Sequence, residues 1–166
     1  MNYAKIKRYD IANGEGVRTS LFVSGCQFHC PDCFNEEAQD YNYGQLYTQK
    51  TERQILKSLQ YPYIDGLSIL GGDPLWQDDN GLGQLIHLVE QVKLIEKNVW
   101  IWSGFTWEEL PKLNPKCREL IEKCDYFIDG RYEKELRDLR LKWRGSSNQR
   151  VIDVQQSIQQ NRVVTK

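Results

Sequence analysis

The apolar residues of this chain alternate between short dense runs and longer stretches with a helical period. "SLFVSG" (Ser20 to Gly25) reads as a strand that runs straight into a cysteine-rich loop. "GLSILGG" (Gly66 to Gly72) reads as a second, apolar on both faces and ended by glycines, as a strand covered on both sides should be. "NVWIWSG" (Asn98 to Gly104), "DYFIDG" (Asp125 to Gly130) and "QRVIDV" (Gln149 to Val154) predict three more. Between them lie helical patterns. Leu82, Leu85, Ile86, Val89 and Val92 keep one apolar face over about three turns. Thr51 with Gln54 reads as a capping box ahead of Ile55, Leu56 and Leu59, and Thr106 with Glu109 repeats that signal. Asn114 before Pro115 places proline at the first helical position, where its missing N–H is not needed.

Two further stretches carry helical spacing. Cys117, Leu120, Ile121 and Cys124 fall at i, i+3, i+4 and i+7, so both cysteines are expected in the core as small hydrophobes. "KELRDLRLKWR" (Lys134 to Arg144) predicts a solvated helix with paired charges, and secondarily a docking surface. In "NVWIWSG", Trp100 and Trp102 alternate with Val99 and Ile101, so one pair should face inward.

Strands alternating with helices imply an α/β domain with a mostly parallel sheet and covered faces. Five strands are too few for a closed eight-stranded barrel, which leaves a partial barrel or an open twisted sheet. Ligands of such sheets gather at the C-terminal strand ends. The cysteine loop, "GGDP" (71–74), "SGF" (103–105) and "DGR" (129–131) all follow expected strand ends, so they should converge on one edge.

Composition narrows the function. At 166 residues the chain fits a single domain, which buries roughly 70% of its unfolded surface and so closes a core without disulfides. With 22 basic against 23 acidic residues and a pI near 6.1, bulk charge selects neither nucleic acid nor an anionic membrane. "MNYAKIKRYD" lacks the apolar core of a signal peptide and no stretch is long enough to span a bilayer, so a cytoplasmic protein is expected. Of five cysteines, three stand within eight residues, at Cys26, Cys30 and Cys33 in "SGCQFHCPDCFN". That suits a metal or cluster better than paired disulfides.

Zinc is one reading, with His29 as a fourth ligand, but structural zinc sites usually join two separate ligand pairs and the second pair is missing. The other is a 4Fe–4S cluster, ordinarily held by four thiolates, here with three and one iron left open. A zinc-stabilised binding module and a cluster enzyme both remain possible on spacing alone.

The motif Cys-x3-Cys-x2-Cys after the first strand, with Phe34 following, resembles that of the radical S-adenosylmethionine (SAM) enzymes, and "GGDP" resembles their Gly-Gly-Glu-Pro segment with Asp73 in place of Glu. More narrowly, "YDIANGEGVRTSLFVSGC" (Tyr9 to Cys26), "VWIWSGFTWEEL" (Val99 to Leu110) and "IDGRYEKELRDLRLKWRGSSNQRVID" (Ile128 to Asp153) resemble the glycyl radical activases of anaerobic ribonucleotide reduction. Glu15 stands where relatives often carry proline. The segment "WRGSSNQR" (Trp143 to Arg150) favours this group over short radical SAM enzymes that act on small molecules, such as the deazaguanine-forming kind.

The resemblance implies a partial (β/α) barrel of the radical SAM type over residues 1–153, followed by a tail, 154–166, of no assigned role. It implies a 4Fe–4S cluster on Cys26, Cys30 and Cys33, with SAM on the open iron. Asp32, Cys33 and Phe34 would border its adenine side, and Gly71, Gly72 and Asp73 its methionine side. The implied reaction is reductive cleavage of SAM to form a glycyl radical on the large subunit of anaerobic ribonucleoside-triphosphate reductase. The electron would come from a flavodoxin- or ferredoxin-like donor. No protein residue beyond cluster and SAM is expected to be catalytic.

Overall fold

The chain begins with a strand that its sequence disguises. In the computed structural model, which describes all 166 residues, Asn2–Asp10 forms β1 and pairs antiparallel with β2, Arg18–Val23. The connection between them is too short for a crossover helix, so the second strand can only return antiparallel. Charged Lys5 and Lys7 interrupt the apolar pattern of β1, yet their ammonium groups lie 4.7 and 5.5 Å from the centre of the buried Phe22 ring. Their aliphatic stems can cover the ring while the charges stay in water. A two-residue strand, β3 (Gln45–Leu46), pairs antiparallel with the outer edge of β1.

Helical crossovers then set the middle of the sheet. Helices α1 (Gln49–Leu59), α2 (Asp79–Leu94) and α3 (Pro115–Glu122) precede β4 (Gly66–Gly71), β5 (Asn98–Trp102) and β6 (Tyr126–Asp129) in turn. These three strands run parallel to β2. The last strand, β7 (Arg150–Asp153), returns antiparallel along β6, giving the order β3-β1-β2-β4-β5-β6-β7.

The expected partial (β/α) barrel with a mostly parallel sheet is therefore not what forms. The fold is mixed α/β: β1–β2, β1–β3 and β6–β7 are antiparallel, and only β2–β4, β4–β5 and β5–β6 are parallel. The reason lies in the connections. Parallel neighbours need a crossover, and neither the β1–β2 loop nor the β6–β7 segment supplies a crossover helix. Residues 134–144, expected as a helix, form one short 3-10 turn (Lys134–Leu136) and then fold back. Asp138 N–H donates to the Gly145 carbonyl and Ser147 N–H to that of Leu136, so a hairpin takes the bonds that a helix would have used.

Other boundaries also move. The box capping α1 is Thr48 with Thr51 rather than Thr51 with Gln54: Thr51 N–H donates to the Thr48 hydroxyl oxygen and Thr48 N–H to that of Thr51. The stretch after Thr106 keeps its capping box but is a 3-10 helix, Trp107–Lys112, containing Pro111, which cannot occupy an α-helix interior without breaking it. Asn114 caps α3 as expected.

A core of 27 residues occupies the helical side of the sheet. Cys117 and Cys124 belong to it, with their thiols donating to the Leu75 and Leu120 carbonyls. The other side carries no helix: Trp100, Ile128 and Val151 form a smaller cluster there, covered by Trp102, Tyr126 and Trp143. Val99, Trp100 and Ile101 are all buried, so both faces of β5 are covered. After β7 the chain forms α4 (Val154–Gln160) and returns so that Thr165 bridges Ile152 and Lys166 pairs with Glu15 at 2.8 Å. No helix is long and apolar enough to cross a membrane.

Candidate metal centre

The cysteine loop leaves β2 at Val23 and is pinned at its base, where Gly25 N–H donates to the Ala38 carbonyl (2.7 Å) and Cys26 N–H to that of Gln39 (3.1 Å). Within it, Cys33 N–H donates to the Cys30 carbonyl at 3.1 Å. His29 (φ 48°) and Asp32 (φ 56°) take left-handed backbone on either side of Cys30. His and Asp are among the residues that tolerate that region best. The resulting loop holds three half-buried free thiols.

These thiols are near one another. Burial pushes Cys26 up to about 12, with Asp73, Cys30 and Cys33 adding to the shift and the Phe28 N–H opposing it. Burial also raises Cys30, as does Cys33, while the Tyr132 N–H and the Arg131 charge pull it back. A metal would have to displace these protons, as ligation by thiolate requires. No three His, Cys, Asp or Glu side chains gather into a cage for a single ion. His29 is exposed and its Nδ1 meets Gln39 Oε1 at 2.8 Å. The donor set fits an iron–sulfur cluster, which takes thiolates, and does not form the compact Cys3His cage of a zinc site.

The strand ends meet at this loop. Gly72 N–H donates to the Val23 carbonyl and Asp73 N–H to that of Gly25, both at 2.8 Å, which fastens "GGDP" against the cysteine loop. A Cβ on Gly72 would lie 2.5 Å from the Ala38 carbonyl oxygen and 2.6 Å from that of Gly25. Gly71, at φ 117°, has the β2 backbone at Val23 where a side chain would go. Both glycines thus permit close approach of two backbones.

Asp73 is the hub. Its side chain is buried, and its carboxylate accepts from Leu75 N–H (2.8 Å), Gly104 N–H (2.8 Å) and the Ser103 hydroxyl (2.9 Å). Burial pushes the carboxyl up to about 6, against the pull of those donors. The "SGF" turn after β5 is thereby tied to "GGDP". Gly130 N–H in turn donates to the Phe105 carbonyl (3.2 Å), which adds "DGR". Phe28, from inside the cysteine loop, packs edge-on to Phe105 and Trp76 with ring centres 4.7 and 5.5 Å apart.

The remaining expected residues stand apart. Phe34 is 92% exposed, and the Asp32 side chain reaches outward to Lys134 at 2.6 Å. Ser103, Gly104 and Arg131 belong to the site, and the only signal for them in the sequence is their place after strand ends. Two cavities, about 550 and 780 Å³, lie elsewhere, the first beside Glu15, Asp65 and Trp100 and the second beside Thr48, Glu52 and His87. The three thiols lie half-buried at the rim that these strand ends form.

A family model described as a 4Fe-4S single cluster domain matches residues 12–152. Three curated relatives carry the name anaerobic ribonucleoside-triphosphate reductase-activating protein. That of Enterobacteria phage T4 is 39% identical over 152 residues, covering 91% of this chain and 93% of the relative. That of Pasteurella multocida is 40% identical over 153 residues, covering 90% and 95%. That of Escherichia coli K12 is 37% identical over 153 residues, covering 90% and 96%. The three thiols therefore sit in a domain matched along most of its length, and the chain belongs to the family of anaerobic ribonucleoside-triphosphate reductase-activating proteins.

Proposed function

We propose that this chain is a radical SAM activase that makes a glycyl radical on the large subunit of anaerobic ribonucleoside-triphosphate reductase. The observation that carries the reading is the division of the cysteines: three half-buried thiols share the rim, while Cys117 and Cys124 are locked in the core and supply no fourth ligand. Cys26, Cys30 and Cys33 would hold a 4Fe–4S cluster with one iron free for the amino and carboxylate groups of SAM. When bound, cluster and SAM supply the hard chemistry, reductive cleavage that yields methionine and a hydrogen-abstracting 5′-deoxyadenosyl radical.

The chain's part is to place these groups. Gly71, Gly72 and Asp73 border the methionine end, where the Asp73 carboxylate and nearby carbonyls give the negative potential that an ammonium seeks. Asp32, Cys33 and Phe34 would border the adenine, and the exposed Phe34 ring would offer it an apolar face. An open rim suits a substrate that is itself a protein segment, with the partner completing the cover. The electron would come from a flavodoxin- or ferredoxin-like donor in the cytoplasm.

The test is anaerobic reconstitution with iron, sulfide, SAM and a reductant in the presence of the cognate reductase. Four irons per chain, release of 5′-deoxyadenosine and a glycyl radical doublet in the EPR spectrum are expected. Replacing any one of Cys26, Cys30 or Cys33 by Ala should abolish SAM cleavage, and Cys117→Ala should not. A colourless protein with one zinc would overturn the cluster, and deoxyadenosine without a radical on the reductase would overturn the substrate.

A further inference from the structure

The segment "WRGSSNQR" touches none of the three thiols, yet it grips the residues that do. Asn148 Nδ2 donates to the Arg131 carbonyl (2.7 Å), Gln149 Nε2 to the Gly130 carbonyl (2.9 Å), and Glu133 N–H to the hydroxyl of Ser146, which is buried (3.1 Å). Gln149 Oε1 in turn accepts from Gly145 N–H at 2.9 Å, which closes the cradle on itself. Residues 130–134 are thus held from behind as a strap. On its front side the Arg131 guanidinium lies 4.5 Å from the centre of the Phe28 ring, and Lys134 pairs with Asp32 at 2.6 Å. The strap therefore crosses the stretch between Cys26 and Cys33.

We propose that residues 130–134 are a positioning strap that raises the reduction potential of a cluster held on this loop, and that "WRGSSNQR" exists to hold that strap in place. The inference rests on the seating of the cluster on Cys26, Cys30 and Cys33 proposed above. One-electron reduction adds a negative charge at the cluster. Net charge, hydrogen bonds to the sulfurs and solvent exposure set the potentials of such clusters. Arg131 supplies a nearby cation, which favours the reduced form. Groups one layer behind the ligands are the usual means of such tuning.

The test uses full-length protein reconstituted anaerobically and titrated with dithionite, the reduced cluster being read by EPR. Arg131→Gln removes the charge from an exposed position. This variant should keep wild-type iron and sulfide yet reduce less readily. For Arg131→Gln a fall of about tenfold in the equilibrium constant is expected, which is about 59 mV for a one-electron couple. Asn148→Ala, which loosens the strap while leaving the charge in place, should shift the same way by less. Full cluster content with unchanged potential in Arg131→Gln overturns the strap. A wild type that takes up no iron, or a Cys30→Ala variant that keeps the complete cluster, overturns the seating instead.

Discussion

His29 and Asp32 hold the left-handed backbone that turns the loop around Cys30. Such a conformation disfavours a residue branched at Cβ by about 1–2 kcal/mol, whereas glycine adopts it freely. Asp32→Gly should therefore retain wild-type iron uptake, and Asp32→Val should weaken it by about tenfold, measured as iron per chain across a reconstitution series. Equal uptake by both would mean that the loop does not need this turn. At this scale the thiols were legible, because their spacing is local and the loop that joins them is short. The role of the Asp32 side chain was not, since its partner, Lys134, lies 102 positions away. Ser103 was hidden for the same reason: only the fold brings its hydroxyl to Asp73.

Between elements, Asp73 joins the ends of β4 and β5. Its carboxyl ionises near 3.8 in an unfolded chain and is pushed up to about 6 by burial. Between those values the folded protein holds a proton that the unfolded chain has lost, so this group's contribution to stability falls as pH rises through that window. A displacement of this size corresponds to ~3 kcal/mol. Metal-free Asp73→Asn, which cannot titrate, should gain denaturation midpoint relative to wild type between about pH 4 and pH 6.5 and hold a constant difference above that. A difference independent of pH would refute the buried, ionising carboxylate. β2, β4, β5, β6 and β7 were legible because each is a dense apolar run between glycines or polar turns. β1 was not, because lysines that pack over Phe22 read as solvent-facing charges. The misread helix at 134–144 had a larger effect: a helix there would carry the chain across the sheet, whereas a hairpin lets β7 return antiparallel.

For the molecule as a whole, the thiols sit past the strand ends at the edge of the core, and Phe28 of their loop packs against it. The 27-residue core lies on the helical side and includes none of Cys26, Cys30 or Cys33. A zinc finger draws its folding energy from its metal, whereas the core of this chain contains no thiol of that loop. Removal of iron by a chelator should therefore leave the far-UV circular dichroism and a single cooperative unfolding transition in place; loss of cooperativity would show that the loop is part of the core after all. The same separation bears on life in air. Thiols half-exposed at an open rim put any cluster they hold within reach of dioxygen, while the chain beneath keeps its shape. Oxidative damage would then bleach the protein without denaturing it, leaving a folded shell that fresh iron and sulfide could recharge once oxygen is gone.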